Sequence, residues 1–188
     1  MGGVAVDPTD RYVALLRGIN VGGSNVIPMT ALRASFEALG LLDVTSFIAS
    51  GNVLFRSRPT EPRALAARIE QALSKTFGYT ATVVLRSHAQ MKTVVRRAPA
   101  GFGESPRVYR YDVVFVKEPL VPRAIVTTIS TRPGVDTAEA GSSVIYFSRL
   151  IARASQSHLP RLISMPVYKQ LTIRNWNTTT KLLALMDA

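Results

Sequence analysis

Arg17-Gly18-Ile19-Asn20-Val21-Gly22-Gly23 places three glycines, a guanidinium and a side-chain amide directly after the apolar run Tyr12-Val13-Ala14-Leu15-Leu16. A short buried strand that ends in a glycine-rich loop and leads into a helix brings backbone N–H groups to an anion. The spacing G-x-x-x-G-G is not a Walker loop, because no Gly-Lys-Ser/Thr follows, and it is not the dinucleotide pattern G-x-G-x-x-G. The chemistry indicated is anion binding, with no reaction named. A plain tight connection is the alternative, with Asn20 and Asn52 as turn formers that satisfy their own backbone.

A second polar concentration is Thr172-Ile173-Arg174-Asn175-Trp176-Asn177-Thr178-Thr179-Thr180-Lys181. Thr172 reads as an N-cap. On the helix it would open, Ile173, Trp176, Thr180 and Leu183 share one face, and Arg174, Asn177, Thr178 and Lys181 share another. Such a row can donate to phosphate oxygens or base edges, or it can be a solvated face with Trp176 anchoring the core. A third set, His88, Lys92 and Arg96, recurs every four residues opposite Met91, Val94, Val95 and Ala98, which is an amphipathic helix with a basic outer face.

Several chemistries lack their residues. The chain has no cysteine, which removes thiolate catalysis and disulfide frameworks. Neither His88 nor His158 has an acid or a second histidine at ligand spacing, so no metal site is expected. There is no G-x-S-x-G elbow, and acids such as Asp112 and Glu118 are scattered. No catalytic residue and no cofactor is indicated. The 188 residues carry a net charge of +11, with 23 basic side chains against 12 acidic ones. Residues 140–186 hold no acid but include Arg149, Arg153, Arg161, Lys169, Arg174 and Lys181, and residues 71–103 are likewise acid-free. That distribution suits a polyanion such as nucleic acid, or a generic basic surface. Residues 1–10 lack the apolar stretch of a secretory signal, and no run is long enough for a membrane span, so a cytoplasmic protein is expected.

The elements that must position these residues read as strands over 11–17, 44–48, 52–56 and 80–86 with helices over 29–39 and 61–77. The second half reads as a helix over 87–98, a strand over 110–117, a helix over 122–130 and hairpin strands over 135–139 and 144–148. The order βαββαβ followed by βαββα predicts an α+β fold of two ferredoxin-like halves, each an antiparallel sheet with helices on one face. The expected division is a flexible extension over 1–10, a first half over 11–98 and a second half over 99–188 that ends in a helix. In such a half the first and second strands run the same way. The loop 18–23 and the hairpin tip Ser50-Gly51-Asn52 should therefore meet at one sheet edge.

The segment 12–23 with Pro28, Met29 and Leu32, the later Ile48-Ala49-Ser50-Gly51-Asn52-Val53-Leu54-Phe55, and Thr172-Ile173-Arg174-Asn175-Trp176-Asn177-Thr178 with Lys181-Leu182 resemble the bacterial "domain of unknown function 1697" family. The resemblance implies two ferredoxin-like α+β halves. It supplies no catalytic residues. Together these features point to a small binding protein for an anionic ligand, such as a nucleotide or nucleic-acid segment. The site residues would be Arg17, Gly18, Asn20, Gly22, Gly23, Ser50, Gly51 and Asn52, joined by Arg174, Asn175, Asn177 and Lys181. An enzyme acting on a phosphorylated or carboxylated metabolite, or a purely structural protein, are the other readings.

Overall fold

A computed structural model describes residues 9–23, 25–49 and 51–188. The chain forms two compact units that divide between His88 and Ala89. Each holds one four-stranded antiparallel sheet, and each sheet takes its strands from an unbroken stretch of chain. The architecture is α+β.

In the first unit β1 (Asp10–Leu16), β2 (Leu42–Phe47), β3 (Asn52–Ser57) and β4 (Val83–Ser87) lie in the order β2-β3-β1-β4. Helices α1 (Met29–Glu37) and α2 (Pro62–Phe77) connect them. The period of two along β1 turns Tyr12, Ala14 and Leu16 to the helices. There they meet Leu32 and Phe36 of α1 and Leu65, Ile69 and Leu73 of α2. Burying each of these leucines or isoleucines contributes roughly 1.5–3 kcal/mol. Tyr12 stacks on Phe55 with ring centres 5.8 Å apart, and Phe36 leans on the same ring at 5.5 Å. The ends of α2 are set locally: Glu61 accepts from the Ala64 N–H at 2.7 Å, and Gly78 leaves the helix at φ 66°.

The second unit opens inside α3 (His88–Arg96), at its second residue, and continues through β5 (Tyr109–Val116), α4 (Pro122–Val126), β6 (Asp136–Ala140), β7 (Val144–Leu150), α5 (Leu159–Ser164), β8 (Leu171–Asn175) and α6 (Trp176–Asp187). Its strand order β6-β7-β5-β8 repeats that of the first sheet. Val114, Val116, Ile145 and Phe147 pack against Ile125, Leu159 and Leu162 on the face that carries α4 and α5. On the other face Tyr146 donates from its hydroxyl to the Val94 carbonyl of α3 at 2.7 Å.

The helix predicted from Thr172 is, over Leu171–Asn175, the fourth strand of the second sheet. It completes a second βαββαβ order that the sequence showed only as βαββα. Leu171 and Ile173 alternate with Thr172 and Arg174 in a strand's period, and the helix starts later, where Asn175 accepts from the Thr178 N–H at 2.7 Å. Arg174 therefore does not share a helix face with Asn177 and Lys181. It stands where Arg86 stands in the first sheet. Arg86 is opposite Val13 and Arg174 opposite Val113, and each guanidinium donates to the preceding carbonyl, at 2.7 Å and 2.8 Å. The expected helices over 29–39 and 122–130 are also shorter, ending at Glu37 and Val126.

Candidate functional site

The strand order brings the loop after β1 against the hairpin tip between β2 and β3. Leu16 N–H donates to the Gly51 carbonyl at 2.8 Å, and Leu15 faces Asn52 across the ladder. Asn20 makes the connection between the two loops. Its amide nitrogen donates to Ile27 O and Ala49 O, both at 3.0 Å, and its carbonyl accepts from the Ile27 N–H at 2.7 Å. Its φ of 51° lies in the left-handed region that asparagine tolerates better than most side chains. Asn25 adds a bond to Gly18 O at 2.9 Å.

Asn52 is fully buried and donates to Phe47 O at 3.0 Å, inside the hairpin. The amide donors of Asn20 and the bond from Asn52 thus hold the backbone, which is the turn-forming alternative. Arg17 is half-buried at the end of β1, with its N–H bonded to Thr82 O at 3.0 Å. Gly18, Gly22 and Gly23 are exposed, each with positive φ, and nothing lies within 4 Å of where a Cβ would stand. Ser50 lies outside the described residues, as do residues 1–8 of the expected extension. Asn20→Ala should cost about 1–3 kcal/mol, because three hydrogen bonds and a favoured left-handed residue go together. Thermal denaturation beside amide exchange at Ile27 checks this.

The residues expected from the C-terminal motif separate. Arg174 is buried on β8, where its guanidinium donates to the Thr172 hydroxyl at 2.8 Å, and burial pulls its pKa down to about 10. Lys181 is exposed on α6. Asn175 and Asn177 sit at a step in the sheet. β5 pairs with β7 from Tyr109 onward but with β8 only from Asp112, because β8 ends at Asn175. The first three residues of β5 therefore lack a neighbour on that side, and a cavity of about 440 Å³ occupies the place. Tyr109, Tyr111, Trp176, Arg110, Arg149 and Asp112 are among the side chains that line it.

The wall is held from behind. The Phe102 ring centre lies 5.2 Å from that of Trp176 and 4.9 Å from that of Tyr111, both edge-on. Asp112 Oδ2 is 3.2 Å from Arg149 Nη2. Burial pushes the Asp112 carboxyl above its ordinary range, and Arg149 and Arg110 offset this only in part. A carboxyl with a raised folded pKa holds its proton more tightly when folded, so its ionisation costs stability as pH rises from the unfolded to the folded value. The stability of Asp112→Asn relative to wild type should accordingly improve as pH rises from about 4, the ordinary aspartate value. A relative decline on the same rise in pH in paired thermal scans would show that Arg149 outweighs burial.

None of Tyr109, Tyr111, Arg149 or Trp176 was expected at a site. They come from three elements with no common motif, and the only local sign is the alternation Tyr109-Arg110-Tyr111-Asp112 at the start of a strand. Among the described residues no group of three or more His, Cys, Asp and Glu side chains is placed to hold a metal, and no helix is long and apolar enough to cross a membrane.

No curated protein matches the chain. Among solved structures it is similar to the conserved bacterial protein SP0830 from Streptococcus pneumoniae, at 27% identity and a TM-score of 0.84, with 95% of this chain and 99% of that chain covered. Both sheets fall within that likeness. The profile of the family described as "Protein of unknown function (DUF1697)" matches residues 9–146, which take in the whole first sheet, the glycine loop with its hairpin, and the second sheet as far as β7. The chain belongs to the DUF1697 family.

Proposed function

We propose that the protein is a small binding protein for an anionic ligand, such as a nucleotide or a segment of nucleic acid, at the edge of the first unit where the glycine loop meets the hairpin. The observation that carries the reading is a loop held fixed from within and left bare outside. Asn20 fixes its path, while Gly18, Gly22 and Gly23 leave open space before the main chain. Backbone fixed in this way can offer N–H groups to an anion with little ordering cost. Ile48, a β-branched residue at φ 51°, adds strained backbone at the neighbouring tip, a feature that clusters at functional sites. The charge of +11 favours anionic partners in general.

The test is a 15N NMR titration with inorganic phosphate, with AMP and with a short single-stranded oligonucleotide. The Gly18, Gly22 and Gly23 N–H resonances should move and saturate. Oligonucleotide affinity should fall with salt at a slope of about −0.7 per phosphate contacted. Glycine resonances unmoved by all three ligands would refute the loop as the site.

A further inference from the structure

We propose that the cavity beside Trp176 in the second unit is a nucleotide site, in which a heterocycle lies against Tyr109, Tyr111 and Trp176, its edge N–H groups meet the Asp112 carboxylate, and its phosphate is held by Arg110 and Arg149. The proposal stands on the second unit alone, independently of the glycine loop.

The first observation is shape. The cavity is about 440 Å³, within the roughly 300–1,000 Å³ of small-molecule sites. It exists because β8 stops opposite Asp112 while β5 runs on through Tyr111, Arg110 and Tyr109. The aromatic wall is braced by Phe102, so the rings are held before a ligand arrives. Flat rings of this kind stack a base whatever its identity.

The second observation is the charge of the lining. Asp112, 8% exposed, is ion-paired through Oδ2 with Arg149 Nη2 at 3.2 Å, and neither that oxygen nor the Arg149 Nε makes a hydrogen bond. Both atoms are closed to solvent, so what a ligand in the cavity meets is the rest of the two groups, Asp112 Oδ1 and the terminal guanidinium nitrogens of Arg149, beside Arg110.

The combination selects the ligand. An apolar molecule would make no use of the charged side chains Asp112, Arg149 and Arg110. Inorganic phosphate would be repelled by the carboxylate and would make no use of the rings. A carboxylate accepts N–H groups, as on the edges of guanine, adenine or cytosine, and guanidinium groups are suited to phosphate oxygens. Arg110 is exposed beside Asp112, on the same wall as Arg149. Base, stacking partners and counter-charge therefore have separate places, in a free mononucleotide or at the phosphorylated end of a single strand.

Trp176 is the sole tryptophan of the chain and lines the cavity, so its fluorescence reads the site directly. The wild-type protein would be titrated with AMP, GMP, CMP and UMP, the matching nucleosides, ribose 5-phosphate, inorganic phosphate and a 5′-phosphorylated hexanucleotide. At least one monophosphate should give a saturable change. Its nucleoside and ribose 5-phosphate should bind at least about tenfold more weakly. Arg110→Ala and Tyr109→Ala, both at exposed residues, should each weaken binding about tenfold with Tm unchanged. A hexanucleotide tighter than the monophosphate assigns the end of a strand as the natural ligand, and a weaker one assigns the free nucleotide. The proposal is overturned if no monophosphate gives a saturable change up to about 10 mM, if inorganic phosphate binds as well as the nucleotides, or if both variants bind like wild type.

Discussion

Gly51→Ala is expected to lower stability by about 2–5 kcal/mol, for two reasons that add. The residue sits at φ 79°, where a Cβ costs roughly 1–2 kcal/mol. That Cβ would also stand 2.9 Å from Ile19 Cδ1, Ile19 Cγ1 and Leu16 Cβ, and overpacking of this kind costs typically 1–3 kcal/mol. Leu16 is a strand residue and Ile19 is 1% exposed, so neither can swing into solvent. For a chain of this length the loss is roughly 5–15 °C in Tm. Gly22→Ala is the internal control. Its φ is 60°, but nothing lies within 4 Å of the added carbon, so only the backbone penalty applies. Equal losses in the two variants by thermal denaturation would show that the loop and hairpin are not packed as described.

Gly103→Ala is expected to cost about 2–4 kcal/mol and to move Trp176. At φ 92° the new Cβ would overlap the indole, with Cδ1 only 2.5 Å away. The ring would have to leave Phe102, which itself touches Tyr111 and Tyr146. Tryptophan emission should therefore shift to the red as Tm falls. Gly101, at φ 77° with nothing within 4 Å, separates strain from overlap in the same loop. A double-mutant cycle with Trp176→Ala isolates the contact, because Gly103→Ala should cost less once the indole is gone. Full additivity would remove the indole as the cause.

The residues that were legible in the sequence are those whose role is repeated locally. Leu65, Ala66, Ile69 and Leu73 announce α2 by spacing, and Gly78 ends it. Tyr12 to Leu16 announce a buried strand, and the strand order then forces the glycine loop against the hairpin. The placement of residues was harder to read than the order of elements. Thr172-Ile173-Arg174 looks polar, and a polar threonine before a tryptophan imitates a helix start. Arg174 is instead buried in a strand, and the cap is Asn175, three residues after Thr172. Asn20 shows a different limit. Its type and position suggested a ligand contact, but whether an amide faces outward or back onto its own loop depends on Ile27 and Ala49 being within 3.0 Å. The cavity in the second unit was illegible for a third reason. It is made by one strand ending before its neighbour, and strand length in a sheet is a tertiary property.

Because each sheet is assembled from consecutive strands, the order of synthesis bears on which partners are available to it. A chain with two sheets of the same strand order carries a hazard of exchange, in which a strand of one half pairs with the neighbours of the other. Here all four strands of the first sheet lie between Asp10 and Ser87, before Tyr109 opens the second. At roughly 5–20 residues per second, translation supplies the first set complete several seconds before its rivals exist in full. Time on the ribosome thus separates two sets of strands that refolding from denaturant would release at once.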